Sequence, residues 1–281
     1  MKWRIVYLLF IASPALGHQP VQDMAPRWDG GFGFQIREEY RSSDDLLDGS
    51  SDAADPFKRK TSVHTTWLEG VYTFDKAVRV TAKIPWIDQK RITSLGERQS
   101  SRGLGDIIVG MPLKSYWNRG PETGNWGFTP SVRIPTGSTG GSYPLGDGSW
   151  DFGTSFSYSR ETPSWYELVD LFYWKNGGGH DGIRRGDELG LDVNLGIHPL
   201  HHNGTNSGLF LMWDATARYE GKGRGSAGTT GRRTLHTGPV AVLYWNNWVL
   251  RAEYKHPVYE SVYGTQLATG PIVNVLLGVT F

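Results

Sequence analysis

The sequence predicts an all-β fold, a transmembrane antiparallel up-and-down β-barrel of about 12 strands. The last nine residues, Val273–Phe281, place an apolar side chain at every second position and end on an aromatic residue. Segments with the same alternation recur along the chain, and the connections between them are short and long in turn. Neighbouring residues of a barrel strand face lipid and lumen alternately, so this pattern is the one expected of membrane-spanning strands.

The closing segment shows the alternation most clearly. Its apolar face has no gap and carries Val273, Val275, Leu277, Val279 and Phe281. Its other face is milder, with Asn274, Gly278 and Thr280. A buried edge strand of a soluble sandwich would share this pattern. A soluble lipocalin-type barrel would instead hold its apolar residues inside and its charges outside.

Residues 1–17 predict a cleaved signal peptide. Met1–Arg4 forms a basic start, Ile5–Leu16 an apolar stretch and Ala15–Gly17 a small-residue cleavage site. The apolar stretch is shorter than the roughly 20 residues that a helix needs to cross a bilayer. We therefore expect residues 18–281 to form the mature barrel domain.

The charge balance and the absence of cysteine exclude several classes of protein. The chain has 29 basic and 28 acidic residues, and loss of Lys2 and Arg4 leaves 27 and 28, a net charge near −1. This balance gives no support for a nucleic-acid partner. The chain contains no Cys, so disulfides do not hold the fold.

Glycine and aromatic residues are abundant, with 37 Gly, 12 Trp, 13 Tyr and 11 Phe, whereas apolar residues make up only 38% of the chain. After the signal segment there is no run of roughly 18 apolar residues, which a membrane helix would need. A chain of this kind that spans a membrane must form a closed barrel, because an open strand edge in lipid leaves backbone amides unsatisfied.

Alternation and turn signals predict the first six strands. They are Trp28–Tyr40, Thr61 to the turn at Asp75, Val78–Trp86, Ile107–Trp117, Trp126–Ile134 and Trp150–Tyr158. The predicted connections are the polar loop Arg41–Lys60, a tight turn near Asp75–Lys76, the loop Asp88–Arg102, the turn Asn118–Gly124 and the loop Pro135–Gly148.

The same alternation and turn signals predict the last six strands. They are Trp165–Trp174, Leu189–His198, Trp213–Tyr219, residues 234–245, Trp248–Lys255 and Val273–Phe281. The predicted connections are Glu161–Ser164, Lys175–Glu188, Leu200–Gly208, Gly221–Arg233, Asn246–Asn247 and Tyr259–Thr269. The Asn-Asn pair is a two-residue hairpin signal. The strand Trp165–Trp174 is aromatic on both faces, so its orientation is left open.

Six long loops, five short turns, an even strand count and both termini at one end are typical of bacterial outer-membrane barrels. Aromatic residues should then form two girdles at the lipid–water boundaries. The short-turn end has Trp28, Trp117, Trp126, Trp245 and Trp248, and the long-loop end has Tyr40, Trp86 and Trp150. Within strands lie four prolines, each of which must lose a ladder bond or lie in a bulge or at a rim: Pro85, Pro112, Pro130 and Pro239.

The face opposite the apolar one carries charges of both signs, which are candidates for lining a pore. They are Arg37, Glu39, Arg79, Lys83, Asp106, Lys114, Arg133, Asp151, Asp192, Arg218, Arg251, Glu253 and Lys255. Such rows either line a wet passage or pair into a plug. Barrels of about eight strands are filled and those of about 16 are open, so 12 lies between.

Catalytic motifs are weak in this chain. Gly223–Gly228 matches a dinucleotide-binding glycine pattern, but no helix is predicted after it. His64 and His236 fall in strands and could serve a lipase-like site, but no serine near them has a supporting context. We therefore expect no catalytic residues and no enzyme activity.

Metal-binding and modification motifs are weak as well. The pair His201–His202, with His198 nearby, lacks a Cys or carboxylate that would complete a metal site. The acidic loop Arg41–Lys60 could bind calcium but is better read as a solvated surface loop. Asn203–Thr205 matches a glycosylation sequon by letters only and is interpreted as a turn. No metal or cofactor is expected.

Three short motifs resemble those of a known family. Gly103–Asp106 reads Gly-Leu-Gly-Asp, Ile134–Gly137 reads Ile-Pro-Thr-Gly, and Tyr263–Gln266 reads Tyr-Gly-Thr-Gln. In these motifs and in its strand rhythm, the chain resembles the outer-membrane transporters labelled as the MetA-pathway of phenol degradation family. The resemblance implies an outer-membrane barrel, and its phenol link is a pathway association that implies no enzyme activity. Asp106 is the one matched residue with chemistry of its own, and it could simply anchor a strand at the rim.

The sequence thus favours a bacterial outer-membrane barrel that gives a small solute, aromatic or otherwise hydrophobic, a passive path across the membrane. The alternatives are a barrel-embedded enzyme that modifies lipid and a filled structural or adhesive barrel. The expected partners are outer-membrane lipids, the solute, and the barrel-assembly machinery, which would read Phe281 at the periplasmic rim.

Overall fold

The computed structural model describes residues 28–141, 143–182, 184–202, 206–225 and 231–281, so the predicted signal peptide lies outside the described residues. The strands are β1 (Phe32–Ser43), β2 (Leu46–Asp48), β3 (Ser51–Asp52), β4 (Lys60–Thr73), β5 (Arg79–Ile92), β6 (Arg98–Leu104), β7 (Ile107–Gly110), β8 (Leu113–Arg119), β9 (Glu122–Ile134), β10 (Asp151–Glu161), β11 (Trp165–Lys175), β12 (Glu188–His202), β13 (Ser207–Glu220), β14 (Arg232–Trp245), β15 (Trp248–Val262), β16 (Thr265–Leu267) and β17 (Ile272–Thr280). One turn of 3-10 helix, His180–Gly182, lies between β11 and β12. None of the described helical structure is long and apolar enough to cross a membrane.

The strands close into one antiparallel barrel. β1 pairs with β4 on one side and with β17 on the other, so the first and last strands meet. The other wall strands pair with their neighbours in sequence, and the β9–β10 pairing completes the circle. β6, β7 and β8 are successive pieces of one wall strand that follows β5. The wall therefore has 12 strands, which confirms the predicted fold.

Two predicted loops contain regular structure. The loop predicted at Asp88–Arg102 is wrong, because β5 continues to Ile92 and pairs with β6 up to a turn at residues 93–97. Polar residues occupy both faces of this hairpin, so it has no apolar alternation to reveal it. In the first long loop, β2 pairs with both β3 and β16, which forms a small sheet at the long-loop end. Short turns and termini share the other end, which we assign as periplasmic.

Outward side chains form an apolar band around the barrel. On β1, Phe34 is 48% exposed while its neighbour Gln35 is 5% exposed. The open question of the orientation of β11 is settled, since Tyr166 and Leu168 are buried and Leu171 and Tyr173 face outward. Large exposed aromatics lie near both ends of the wall, as predicted. They are Trp28, Trp126, Trp245 and Trp248 at the periplasmic end and Tyr40, Trp86 and Trp150 at the extracellular end. Trp117, also predicted for the periplasmic end, is only half-exposed.

The strand prolines coincide with irregularities in the ladder. Pro112 separates β7 from β8, and the carbonyl of Pro130 on the adjacent strand accepts the Met111 N–H at 2.9 Å. Pro85 lies where β5 changes partner from β6 to β7, and Pro239 lies where the β14–β15 pairing is interrupted. Because proline cannot donate a hydrogen bond, these breaks are where a closed wall tolerates it.

Two of the family-like motifs meet at one junction in this wall. The Thr136 hydroxyl donates to the Gly105 carbonyl at 2.7 Å and accepts the Ile107 N–H at 3.0 Å. The Asp106 carboxylate accepts the Gly137 N–H at 2.9 Å. A Cβ on Gly137 would lie 2.9 Å from this carboxylate, so only glycine allows the approach. These side-chain bonds take the place of the backbone bonds that are interrupted between β6 and β7. Asp106 thus holds the wall strand to the segment after β9.

Replacing Thr136 with Val should destabilise the barrel by about 1–3 kcal/mol, because two backbone groups lose their partner at almost unchanged side-chain shape. The free energy of unfolding is measured by urea titration of the protein in detergent micelles or lipid vesicles. Thr265→Val on exposed β16 is the matched control and should change stability little. Equal stabilities of the two variants would contradict the role of the junction.

Candidate functional site

The interior of the barrel holds the candidate site. All thirteen charged residues predicted to line a pore lie on the interior face of the wall, opposite the exposed apolar residues of their strands. Eight of them line a cavity of about 960 Å³, namely Arg37, Glu39, Lys83, Asp192, Arg218, Arg251, Glu253 and Lys255. The other five, Arg79, Asp106, Lys114, Arg133 and Asp151, lie outside the cavity lining. The cavity runs from loop residues such as Thr93 and Thr269 at the extracellular mouth down to Gln35 and Leu276.

Ion pairs and hydrogen bonds cross the cavity wall in a continuous network that begins at Arg37. Its guanidinium donates to Glu69 at 2.8 and 3.0 Å and to Glu39 at 2.9 Å. Gln35 donates to the same Glu69 carboxylate. Arg37 also reaches the side-chain oxygen of Asn274 at 3.5 Å, which extends the network from β1 and β4 to β17.

The network continues on β15 and β13. Asn274 donates to Glu253 at 3.1 Å, and Glu253 pairs with Arg251 at 3.2 Å and with Lys255 at 3.1 Å. Lys255 then reaches Asp214 at 2.7 Å. Four charged side chains of the network, Glu69, Asp214, Arg251 and Glu253, are less than 10% exposed. Buried charges are tolerated only when they are paired, so the network fixes the shape and the charge of the cavity wall.

A second group of charges, the mouth clamp, consists of Arg133, Asp147, Asp151 and Arg185. The fully buried Asp151 accepts from Arg133 at 2.9 Å and from Arg185 at 3.0 Å. Arg185 also pairs with Asp147 at 2.6 Å. Asp147 and Arg185 belong to the loops that follow β9 and β11, so the clamp ties both loops to the interior wall.

The mouth clamp alters the titration of Asp147. Burial alone would raise the pKa of this carboxyl. The positive charge of Arg185 and hydrogen bonds from Ser149 outweigh burial and hold the pKa below its usual value. Asp147 is therefore ionised, and its loop is held, down to strongly acidic pH.

Below the cavity, on the periplasmic side, the interior is apolar along one sector. This lower apolar cluster comprises Tyr166, Leu168, Phe210, Met212, Val240, Val242, Tyr244, Val249 and Leu276. Phe210 is fully buried, and the His198 ring stacks on it at 4.0 Å between centroids. The Tyr244 hydroxyl is 3.0 Å from His198 Nε2. These side chains pack against one another and narrow the barrel on this side.

The opposite sector of the lower interior is polar. The Arg79 guanidinium lies over the Tyr116 ring at 5.6 Å, and the Lys114 ammonium donates to the Ser157 hydroxyl at 2.9 Å. Higher on the wall, Asp170 and Asp192 stand directly opposite each other on β11 and β12. One carboxylate oxygen of each has no hydrogen-bond partner among the described residues. The lower interior thus has a polar sector on one side and the lower apolar cluster on the other.

Some of the residues that shape this site were missed in the sequence. Glu69 was missed because the sequence assigned no orientation to β4. In the structure Glu69 pairs with Gln35, which shares the interior face of β1 with Arg37. Asp214 and Asn274 were placed on the correct face but were not chosen as site residues. The lower apolar cluster was missed because only charged residues were sought on the interior face of the strands. Alternation with the exposed residues of the same strands is the signal that reveals it.

The two histidines considered for a lipid-modifying site lie on opposite faces of the wall. His64 faces outward, and its Nε2 is 2.9 Å from Glu38. The nearby Thr66 hydroxyl donates to that carboxylate at 2.8 Å and not to the imidazole. His236 is buried in the interior, 3.1 Å from the Gly270 carbonyl. The two rings therefore cannot act on one substrate.

Among the described residues, no group of three or more His, Asp or Glu side chains is arranged to hold a metal ion. The turn predicted at Leu200–Gly208 is shorter than expected, because His201 and His202 end β12 and pair with Gly208 and Ser207 of β13. The side chains of these two histidines and the residues Asn203–Thr205 lie outside the described set.

Solved structures with a similar fold are outer-membrane barrels. The COG4313 outer membrane channel from Pseudomonas putida F1 is 14% identical, with a TM-score of 0.73 over 90% of this chain and 96% of that chain. The beta domain of the Bordetella autotransporter BrkA is also 14% identical, with a TM-score of 0.49 over 90% of this chain and 100% of that chain. These likenesses concern the fold. No curated protein sequence matches the chain significantly.

The family comparison covers most of the chain. A family model described as "Putative MetA-pathway of phenol degradation" matches residues 38–269, which extend from β1 to the segment before β17. The match includes all three short motifs named above. Together with the closed 12-stranded wall and its lipid-facing apolar band, it places the protein among bacterial outer-membrane barrels. The chain belongs to the MetA-pathway of phenol degradation family.

Proposed function

We propose that this protein is a passive outer-membrane channel for a small solute and that it has no enzyme activity. The observation that carries the proposal is the interior: a charged cavity of about 960 Å³ at the extracellular side lies above a segment that is apolar on one sector and polar on the other. In this proposal the thirteen interior charges act through the field and hydration of the lumen. The Pseudomonas putida protein of similar fold is described as an outer membrane channel, which is consistent with this function.

The proposed solute is small and amphipathic, with an aromatic or aliphatic part and a polar group. Phe172 and Leu276 line the cavity beside its charges and offer contacts to the apolar part. Asp192 also lines the cavity, and its carboxylate accepts a hydrogen bond from the hydroxyl group of the solute or from water. The family description associates such proteins with phenol degradation, and a phenol has this chemistry.

Among the described residues, the two histidines considered for the enzyme alternative have no activated hydroxyl beside them. A hydrolase that attacks through a serine or threonine needs that hydroxyl bonded to its base. At the outward site the base candidate His64 and the hydroxyl of Thr66 bond separately to Glu38. The filled-barrel alternative corresponds to a lower apolar cluster that never opens, and conductance decides between it and the channel.

The first prediction concerns the lower apolar cluster. Phe210→Ala should raise single-channel conductance in planar bilayers, because the phenyl ring fills the interior. The change removes about 3–5 kcal/mol of packing, so folding is verified by heat-dependent migration in SDS gels. Leu211→Ala is the matched control, since Leu211 is adjacent in sequence but faces lipid. An insulating wild type and an insulating, folded Phe210→Ala variant would indicate a filled barrel.

The second prediction concerns the mouth clamp. Because the pKa of Asp147 is lowered in the folded protein, the clamp is intact above the ordinary aspartate pKa and is lost as the pH falls through the lowered value. Conductance or solute uptake into liposomes should therefore rise in strongly acidic buffer. Asp147→Asn should give the raised value at neutral pH with less dependence on pH. Asp52→Asn, in an exposed part of the first loop, is the control and should retain the wild-type profile.

The third prediction concerns export. We propose that the barrel-assembly machinery reads Phe281, which is 67% exposed at the periplasmic rim. Deleting Phe281 should lower the amount of folded protein in the outer membrane. Deletion also removes two backbone bonds to Phe32, of 2.8 and 3.1 Å. Phe281→Ala keeps those bonds, so it should impair insertion in cells but leave refolding into detergent unchanged. Normal surface levels of Phe281→Ala, or an equal defect in Trp28→Ala, would count against recognition of this ring.

A further inference from the structure

A second concave surface lies at the extracellular rim of β11, β12 and β13, next to the interior cavity, with which it shares Glu188, Leu189 and Tyr219. This rim pocket has a volume of about 470 Å³. Its lower wall is formed by Tyr173, Leu189 and Tyr219, which are 39%, 45% and 40% exposed. Direct cross-strand pairing places these three residues in one row on the lipid-facing surface. Of its basic side chains, only Arg185 belongs to the mouth clamp.

The next outward row towards the periplasm is aliphatic. It contains Leu171, Leu191, Ala217 and Leu235, again paired directly across β11 to β14. Tyrosines above an aliphatic row mark the boundary between headgroups and hydrocarbon. The rim pocket therefore lies at the height of the lipid headgroups of the outer leaflet.

Basic side chains surround the upper part of the rim pocket. Lys175, Arg184, Lys222 and Arg224 line it. Arg233 extends the outward tyrosine row and lies over the Tyr219 ring at 5.6 Å. Arg185 lines the pocket as well, against two carboxylates, Asp187 and Glu188. Asp187 pairs with Lys175 at 2.6 Å and with Arg184 at 3.2 Å. The rim pocket therefore has a net positive charge.

Positive charges lie directly opposite each other in the loops after β11 and β13. Arg184 and Arg224 form an isolated antiparallel bridge, with backbone bonds of 3.2 and 2.8 Å that join the loop after β11 to the loop after β13. Like charges on directly opposed residues are unfavourable in a β pair. Lys222 is held above the Tyr263 ring at 4.7 Å and makes no ion pair with a described residue. An anion bound between these side chains would offset their repulsion.

The extracellular rim on the other side of the barrel differs. There the outward groups are mixed in sign, with Glu38 beside His64 and Asp88 opposite Arg102. Positive charge is thus concentrated over one sector of the wall, above a surface that acyl chains could cover.

From these observations we propose that the rim pocket binds the phosphorylated headgroup of an outer-leaflet glycolipid, with Lys222, Arg224 and Arg184 contacting phosphate and the acyl chains lying on the Tyr173–Leu189–Tyr219 row and the aliphatic row below. Basic pockets at the membrane surface recognise lipid headgroups in this way. The site anchors the loops after β11 and β13 to the lipid around the barrel.

The test uses the purified full-length protein in detergent, titrated with diphosphoryl lipid A and followed by native mass spectrometry. The double variant Lys222→Ala/Arg224→Ala changes two loop side chains that take no part in the wall ladder. With about 1 kcal/mol for each basic group at a membrane surface, its affinity should fall by roughly thirtyfold. Lys90→Ala/Arg102→Ala removes two outward cations from the β5–β6 hairpin and is the matched control, with affinity expected to change less than about threefold.

Two further measurements complete the test. Monophosphoryl lipid A should bind more weakly than the diphosphoryl form, and inorganic pyrophosphate should compete only at far higher concentration, because it lacks acyl chains. Equal losses in the rim-pocket and control variants would mean that general surface charge attracts the lipid, and would overturn the proposal. Pyrophosphate binding as tight as lipid A binding would make the rim pocket a site for a soluble anion and would also overturn it.

Discussion

The structure depends on one constraint: every backbone amide within the bilayer must find a partner inside the protein. Lipid offers no hydrogen bonds, so the wall has to close. Closure occurs where β1 pairs with β17, and the last backbone bonds are those between Phe32 and Phe281. The same constraint explains why the bulge after β6 is held by Thr136 and Asp106, since an unrepaired gap in the ladder is costly in a membrane.

Closure also determines where charge can lie. Apolar residues take the lipid face of each strand, so the charged residues that alternate with them are enclosed together in the lumen. There they must pair, and the network from Glu39 through Arg37 and Glu253 to Asp214 satisfies nearly every member. The pairing leaves a cavity in the upper half, because long side chains held against the wall do not meet across the barrel.

The lower half follows a different rule. On β11, on β13 to β15 and on β17, several interior positions are aliphatic or aromatic, and they fill space by packing. Their position below a charged cavity gives the lumen two chemical zones in series. On the outside, the loops add a third zone, since those that follow β11 and β13 carry positive charge to the level of the lipid headgroups. The charges inside the barrel and the charges on its outer rim can therefore vary independently on the same wall.

The sequence by itself determined the barrel, its strand number and the side of the wall on which each predicted charge lies. It could do so because period-two alternation, loop length and aromatic position are local properties of the chain. The prediction failed in the β5–β6 hairpin, because polar residues on both faces leave no alternation of apolar side chains. The orientation of β11 stayed open because aromatic residues occupy both of its faces. Only the tertiary structure decided that Arg37 pairs with Glu69, that Arg185 reaches Asp147 and Asp151, and that Phe210 stacks with His198. These contacts join residues on different strands and loops, and closure of the barrel, which no local pattern encodes, sets the distances between them.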